Sequence, residues 1–381
     1  MAASFAAIAG AAAAAAALTL SILLTFLLRF LMSQFRHSSP NKDSETVSSD
    51  PSAVDTRRGG AASPHHAVPQ LGGRQFRMEE LEQATMQFNE SSLIGCGTFG
   101  LVFKGMLRDG TVVAIKRREG LPRQEFVEEV AYMSAIEHRN LVTLIGYCQE
   151  RGCQMLVFEY LPNSSICNHL YDTGKDSTTK LEFKQRLSIA IGAAKGLCHL
   201  HGLQPQSVHS NFKTSNVLVD ENFIAKVADA GLSKLLEKIE DAGSSCSNSF
   251  NAFRDPEFGV HEDMSDVYSF GVFLLELISA KEAAYNREAF QHNGSIYQWV
   301  QDCLNLDQLI DQRLIGSFTA EGMRDLIKLM LKCMRFPGIE RPRMENVVME
   351  LDQILENEMT RTTVMGEGTA TVTLGSWLFT N

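Results

Sequence analysis

Gly95-Cys-Gly-Thr-Phe-Gly100 lies between two apolar runs, Leu93-Ile94 and Leu101-Val102-Phe103, and sixteen residues later Lys116 closes Val113-Ala-Ile. The connection passes through Asp109-Gly110, a dipeptide suited to the left-handed positions of a tight hairpin. The stretch therefore reads as strand, glycine-rich turn, strand, hairpin, strand. By itself a Gly-x-Gly-x-x-Gly is equally what hairpin turns require, so its meaning depends on the residues C-terminal to it. Next comes Glu125-Phe-Val-Glu-Glu-Val130, opening a helix whose Phe126, Val130 and Met133 recur at spacings of four and three.

Further motifs continue in order. They are His138-Arg-Asn-Leu-Val-Thr-Leu-Ile-Gly-Tyr-Cys148, Met155-Leu-Val-Phe-Glu-Tyr-Leu161, His209-Ser-Asn-Phe-Lys-Thr-Ser-Asn216 and Asp229-Ala-Gly231. Asp255-Pro-Glu257, Ser265-Asp-Val-Tyr-Ser-Phe-Gly271 and Arg341-Pro342 complete the series. Between them, Leu187, Ala190, Ile191, Ala194 and Leu197 predict a buried amphipathic helix from Phe183 to His201, and Val267 to Ile278 has the length of a buried core helix. Taken jointly, from about Phe88 to Leu355, these motifs resemble plant receptor-like protein kinases, the group related to animal Pelle and interleukin-receptor-associated kinases.

The resemblance implies an α+β bilobal protein kinase fold, with a small antiparallel-sheet lobe and a large helical lobe. It implies ATP and Mg2+ as cofactors. Backbone amides at Gly95, Gly97 and Gly100 would cover phosphates that Lys116 neutralises. Glu129 would pair with Lys116, its other reading being an exposed helix glutamate like Glu125 and Glu128. Phe158 would close the back of the pocket, Glu159 to Leu161 would offer backbone groups to adenine, and Val102, Ala114 and Leu218 would sandwich the base. In any other fold those three would simply be core. Lys213 would serve the catalytic loop, Asn216 and Asp229 would bind the metal through oxygen, and Glu257 would pair with Arg341.

Four departures bear on activity. Asn211 falls where the family carries the aspartate that accepts the substrate hydroxyl's proton, and a neutral carboxamide forfeits a factor of about 10² to 10⁴ in rate. Ser210 replaces an arginine that docks a phosphorylated loop. Ala230 removes the aromatic of Asp-Phe-Gly, a truncation that costs about 3 to 5 kcal/mol unless neighbours refill the space. Ser249-Phe-Asn-Ala-Phe253 lacks the glycines and hydroxyl that seat a substrate peptide. Two functions stay open: a pseudokinase that scaffolds or allosterically partners active receptor kinases or other signalling proteins, and a low-activity serine/threonine kinase that tolerates Asn211.

The flanks are read from composition. Phe5 to Leu28 is 24 residues without a charge, about 36 Å as a helix and enough to span a bilayer's apolar core. A cleaved signal peptide would need a basic start and a small-residue cleavage site, and a transit peptide would be arginine-rich and amphipathic. Residues 1–37 are therefore expected to be an uncleaved anchor in the plasma membrane. Arg29, Arg36, His37 and Lys42 on its C-terminal side place the rest of the chain in the cytosol, with only a few residues outside. Residues 38–77 read as a flexible linker, 78–356 as the kinase-like domain and 357–381 as a threonine-rich flexible tail. Met78 to Phe88 reads as a helix capping the domain, with Met78, Leu81, Thr85 and Phe88 on one face. The eight cysteines, all at or beyond Cys96, form neither a CxxC pair nor a zinc pattern and fit a reducing compartment. A net charge of −10 without any basic block excludes a nucleic-acid footprint.

Overall fold

The computed structural model describes residues 73–171, 181–239, 251–257, 259, 262–283, 300, 303 and 309–365. The chain divides into Met1–His66 and Ala67–Asn381, and the second unit carries all the described residues. The expected anchor, and the linker up to residue 72, lie outside them. Among the described residues no helix is long and apolar enough to cross a membrane.

Two lobes succeed one another along Ala67–Asn381. The small lobe is a six-stranded sheet formed by β1 (Arg74–Gln75), β2 (Leu93–Gly97), β3 (Gly100–Met106), β4 (Val112–Glu119), β5 (Leu144–Glu150) and β6 (Cys153–Glu159), with strand order β1-β5-β6-β4-β3-β2. All neighbours are antiparallel except β1 with β5. Because strand side chains alternate between faces, β6 serves two cores at once. Met155 and Val157 pack with Phe76, Met78, Leu81, Val113 and Ile115 on the face covered by α1 (Met78–Ala84). Leu156 and Phe158 join Phe126, Val130 and Met133 of α2 (Gln124–Ser134) on the other.

The first helix stops four residues short of the expected Phe88. Thr85 Oγ1 donates to Leu81 O at 2.7 Å and accepts from Phe88 N at 3.1 Å, so its hydroxyl takes over the backbone bonding that would continue the helix. Met86, Gln87 and Phe88 then turn through φ of 52°, 62° and 53°. Phe88 still packs against the α1-side core.

The large lobe contains α3 (Ile166–Tyr171), α4 (Phe183–His201), the ribbon β7 (Val217–Val219) with β8 (Ala225–Val227), α5 (Leu232–Ile239), α6 (Glu262–Ser279), α7 (Ala320–Cys333) and α8 (Met344–Met365). Its core is built on α4 and α6, whose apolar residues are almost all buried, as their sequences implied. The last helix corrects the expected boundary at 356. It continues to Met365, and Glu358, fully buried, accepts bonds from Thr319 N at 2.7 Å and from the Thr319 hydroxyl at 2.5 Å.

α6 also fastens the loop 209–216. Asp266 accepts from His209 N at 2.7 Å, Ser210 N at 2.9 Å and the His201 ring at 2.9 Å, which holds Ser210 at a left-handed φ of 60°. Ten residues on, Glu276 accepts bonds from the Thr214 and Tyr171 hydroxyls and from Ala283 N. Phe212 is buried against Phe270 and Phe273, with ring centroids 5.9 and 5.5 Å away.

Arg341 was expected to pair with Glu257. The structure contains that pair at 3.5 Å and adds a closer, two-pronged one to Asp255 at 2.5 and 2.9 Å. Both Arg341 and Asp255 side chains are buried, so removing one partner strands a charge. Arg341→Ala should destabilise the protein by about 3 to 5 kcal/mol in urea unfolding.

Two buried carboxyls on this scaffold titrate in opposite directions. Burial pushes Asp255 up, but the Arg341 guanidinium, Glu257 N and the Ser265 hydroxyl outweigh it and hold the carboxyl below its ordinary range. Its contribution is present above the unfolded carboxylate pKa and is lost as pH falls through the lower folded value. Burial raises Glu276 despite its three donors. The native state therefore holds that proton more tightly, and stability should decline as pH rises from the ordinary carboxylate range through the raised folded value. A series of unfolding temperatures against pH should show that decline in the native protein and a flatter profile in Glu276→Gln.

Candidate functional site

Between the lobes lies a cleft of about 640 Å³. Of the residues singled out from sequence, Gly95, Gly97, Val102, Ala114, Lys116, Glu159, Leu161, Asn211, Lys213, Asn216, Leu218 and Asp229 all line it. β2 and β3 supply the roof, Ala114 and Lys116 come from β4, and the loop 209–216 with β7 forms the floor. A Cβ added to Gly95 or Gly97 would meet nothing within 4 Å, so the glycines keep the loop's backbone open to the cleft rather than relieving a clash. Gly100 is not a lining residue. At φ 136° its α-carbon passes so close to the Arg117 carbonyl that any side chain would collide, and its role is to let β3 form.

Phe158, Glu159 and Leu161 line the end of the cleft along β6 and the segment after it. Phe158 is buried there, and Lys116 Nζ lies 5.7 Å from its ring centroid. Glu159 is clamped by Lys226, whose Nζ is 2.8 Å from both carboxylate oxygens, and also accepts from Thr143 N at 2.8 Å. Sequence reasoning missed Val142, Thr98, Asn168 and Ala228 among the lining residues. Val142 lay inside a quoted motif, yet only the bond from its N–H to Val227 O, at 2.9 Å, carries it under the cleft.

The charged end differs from the family expectation. Lys116 pairs directly with Asp229, not with Glu129. Glu129 is 2% exposed and held by Lys238 at 2.5 Å and Lys234 at 3.3 Å, both from α5. The cause is apolar. Leu232, Leu235 and Ile239 pack with Phe126, Val130 and Met133, and with Phe99 from the glycine-rich turn. Seating α5 against α2 in this way brings two lysines one helical turn apart alongside the glutamate. Glu129 Oε1 nevertheless makes no hydrogen bond of good geometry. Ala230 is half-buried against the large-lobe core, and Met133 lies against the adjacent Gly231, where a Cβ would sit 2.9 Å from Met133 Cγ.

On the floor, Asn216 Nδ2 donates to Asn211 O at 3.0 Å, which tightens the loop and leaves Asn216 Oδ1 as a neutral oxygen donor. The Asn211 side chain faces the same cleft as Lys213 and can accept no proton at neutral pH. The donors implied for Mg2+ fit that ion poorly. Asn216 is uncharged and Asp229 is already met by the Lys116 ammonium, whereas Mg2+ sites rely on one or two carboxylates together with substrate phosphates. The apolar walls and open glycine backbone do fit a nucleotide base and phosphates.

Comparison with known proteins agrees with this geometry. The model of the family described as "Protein tyrosine and serine/threonine kinase" matches residues 88–351. The receptor-like protein kinase THESEUS 1 of Arabidopsis thaliana is 40% identical over 307 residues, covering 77% of this chain and 35% of the relative. FERONIA from the same plant is 39% identical over 296 residues, covering 74% and 32%. The chain thus spans about a third of the length of these relatives. Among solved structures, the pseudokinase domain of BIR2, described as an immune regulator of the RLK/Pelle family, superposes with a TM-score of 0.60 at 28% identity. That match covers 73% of this chain and 86% of the other. With a bilobal fold, an interlobe cleft and a motif series spanning most of its length, this chain belongs to the protein kinase family, as a receptor-like kinase domain of the RLK/Pelle group.

Proposed function

We propose that this chain is a membrane-tethered receptor-like pseudokinase that works as a scaffold or allosteric partner of active receptor kinases or other signalling proteins. The observation that carries it is Asn211. The loop around it is fully assembled on Asp266, Glu276 and Phe212, so the loss of the base is a change of chemistry and not of folding. The displaced Glu129 and the direct Lys116–Asp229 pair add to the same reading, because phosphoryl transfer depends on positioned charge. BIR2, a pseudokinase by its description, offers a structural precedent within the group.

In this reading residues 1–37 anchor the chain in the plasma membrane and residues 38–77 tether a cytosolic kinase-like domain. The domain retains a nucleotide cleft, and ATP held there stabilises a partner-binding shape instead of donating its γ-phosphate. Purified protein given labelled ATP, magnesium or manganese and a generic substrate should incorporate no phosphate above an Asp229→Ala control. The second reading, a slow serine/threonine kinase, is favoured by the retention of Lys116, Lys213, Asn216 and Asp229 in one cleft. Asn211→Asp separates the two. Turnover appearing from that single change would mean that the base alone was missing; continued silence is expected, because Glu129 stays with α5.

A further inference from the structure

We propose that the cleft binds a nucleotide without a divalent cation. The inference builds on the nucleotide cleft invoked above and specifies the ligand's form. A divalent ion at such a site neutralises the phosphates and separates them from the carboxylates that face them, a role that lysines can take where those carboxylates are already paired. Among the described residues, two carboxylates line this cleft, Glu159 and Asp229. Lys226 cancels Glu159 at 2.8 Å, and Lys116 cancels Asp229. Glu129, the third acid of the family pattern, is buried among Lys234 and Lys238, and Asn211 has no charge.

The positive side is less committed. Lys213 faces the cleft with no ion pair among the described residues. Lys116 has three N–H donors and uses one on Asp229. Once each pair is cancelled, Lys213 leaves the phosphate end with a net positive charge. The unobstructed backbone at Gly95 and Gly97 adds amide donors. Val102, Ala114 and Leu218 give the other end an apolar slot for a base, so the ligand is a nucleotide and not a bare polyphosphate. A magnesium ion entering here would share Asp229 with an ammonium and gain one neutral oxygen from Asn216.

The test is thermal shift and calorimetric titration of the purified full-length protein in detergent micelles, with ATP in EDTA and with ATP in excess magnesium. ATP should raise the unfolding temperature in EDTA at least as much as in magnesium, and tripolyphosphate should not. Lys213→Ala should weaken ATP binding in EDTA about tenfold, the scale of one charge-assisted contact. Lys116→Met bares Asp229, so its ATP binding should become magnesium-dependent. The proposal is overturned if magnesium tightens ATP binding to the native protein tenfold or more, if ATP binds in neither buffer, or if tripolyphosphate matches ATP. Those outcomes leave the absence of phosphotransfer and the scaffold role of the pseudokinase reading standing, provided that no phosphate is transferred; binding in neither buffer would also remove ATP from that role. Robust phosphotransfer by a protein that also binds ATP in EDTA would sink that reading and not this one.

Discussion

Two buried carboxylates on one helix carry the architecture of the cleft. Asp266 and Glu276 both project from α6, the most enclosed element of the large lobe, and between them they hold the two ends of the loop 209–216. Asp266 meets two consecutive backbone N–H groups, that of buried His209 and that of exposed Ser210, and this pins Ser210 in a conformation that a non-glycine residue rarely adopts. Phe212 wedges the middle of the loop into the aromatic cluster of the same helix. Three anchors on one helix thus hold the loop through residues other than Asn211.

The second organising contact is apolar and lies on the other side of the cleft. α5 begins directly after Asp229-Ala-Gly, with Leu232 N bonded to Asp229 O at 3.1 Å, and it buries three aliphatic residues against α2. The electrostatics are set by that packing. Glu129 is drawn to two lysines on α5, and the ammonium of Lys116, left without it, closes on Asp229. An unpartnered buried carboxylate is costly, so the seating of this one helix sets the pairing of five charged groups. Met133 of α2 lies directly against Gly231, the residue just before α5.

Much of the fold was legible in the residues alone. The glycine-rich turn, the strand lysine and the Asp109-Gly110 hairpin specify antiparallel strands by backbone requirement, and β2, β3 and β4 appear where those signals put them. The helix from Phe183 to His201 matches its apolar periodicity at both ends. Where local pattern was weak, placement slipped. Thr85 looked like one more helix-face residue, but its hydroxyl ended α1, and the threonines after residue 356 hid a helix held by the single buried Glu358. Twelve of the fourteen proposed site residues share the cleft, and the two exceptions, Gly100 and Glu129, owe their positions to long-range neighbours.

Sequence by itself determined the fold, most of the residues that line the cleft and the absence of a carboxylate at position 211, because these depend on residue type, spacing and short-range periodicity. Only the tertiary structure decided which charges face one another. Ion pairing is set by which surfaces pack, and the partners concerned lie about a hundred residues apart along the chain, Lys116 with Asp229 and Glu129 with Lys238. No local pattern could choose between Lys116 and Lys238 as the companion of Glu129. The choice was made by three aliphatic side chains of α5 leaving water.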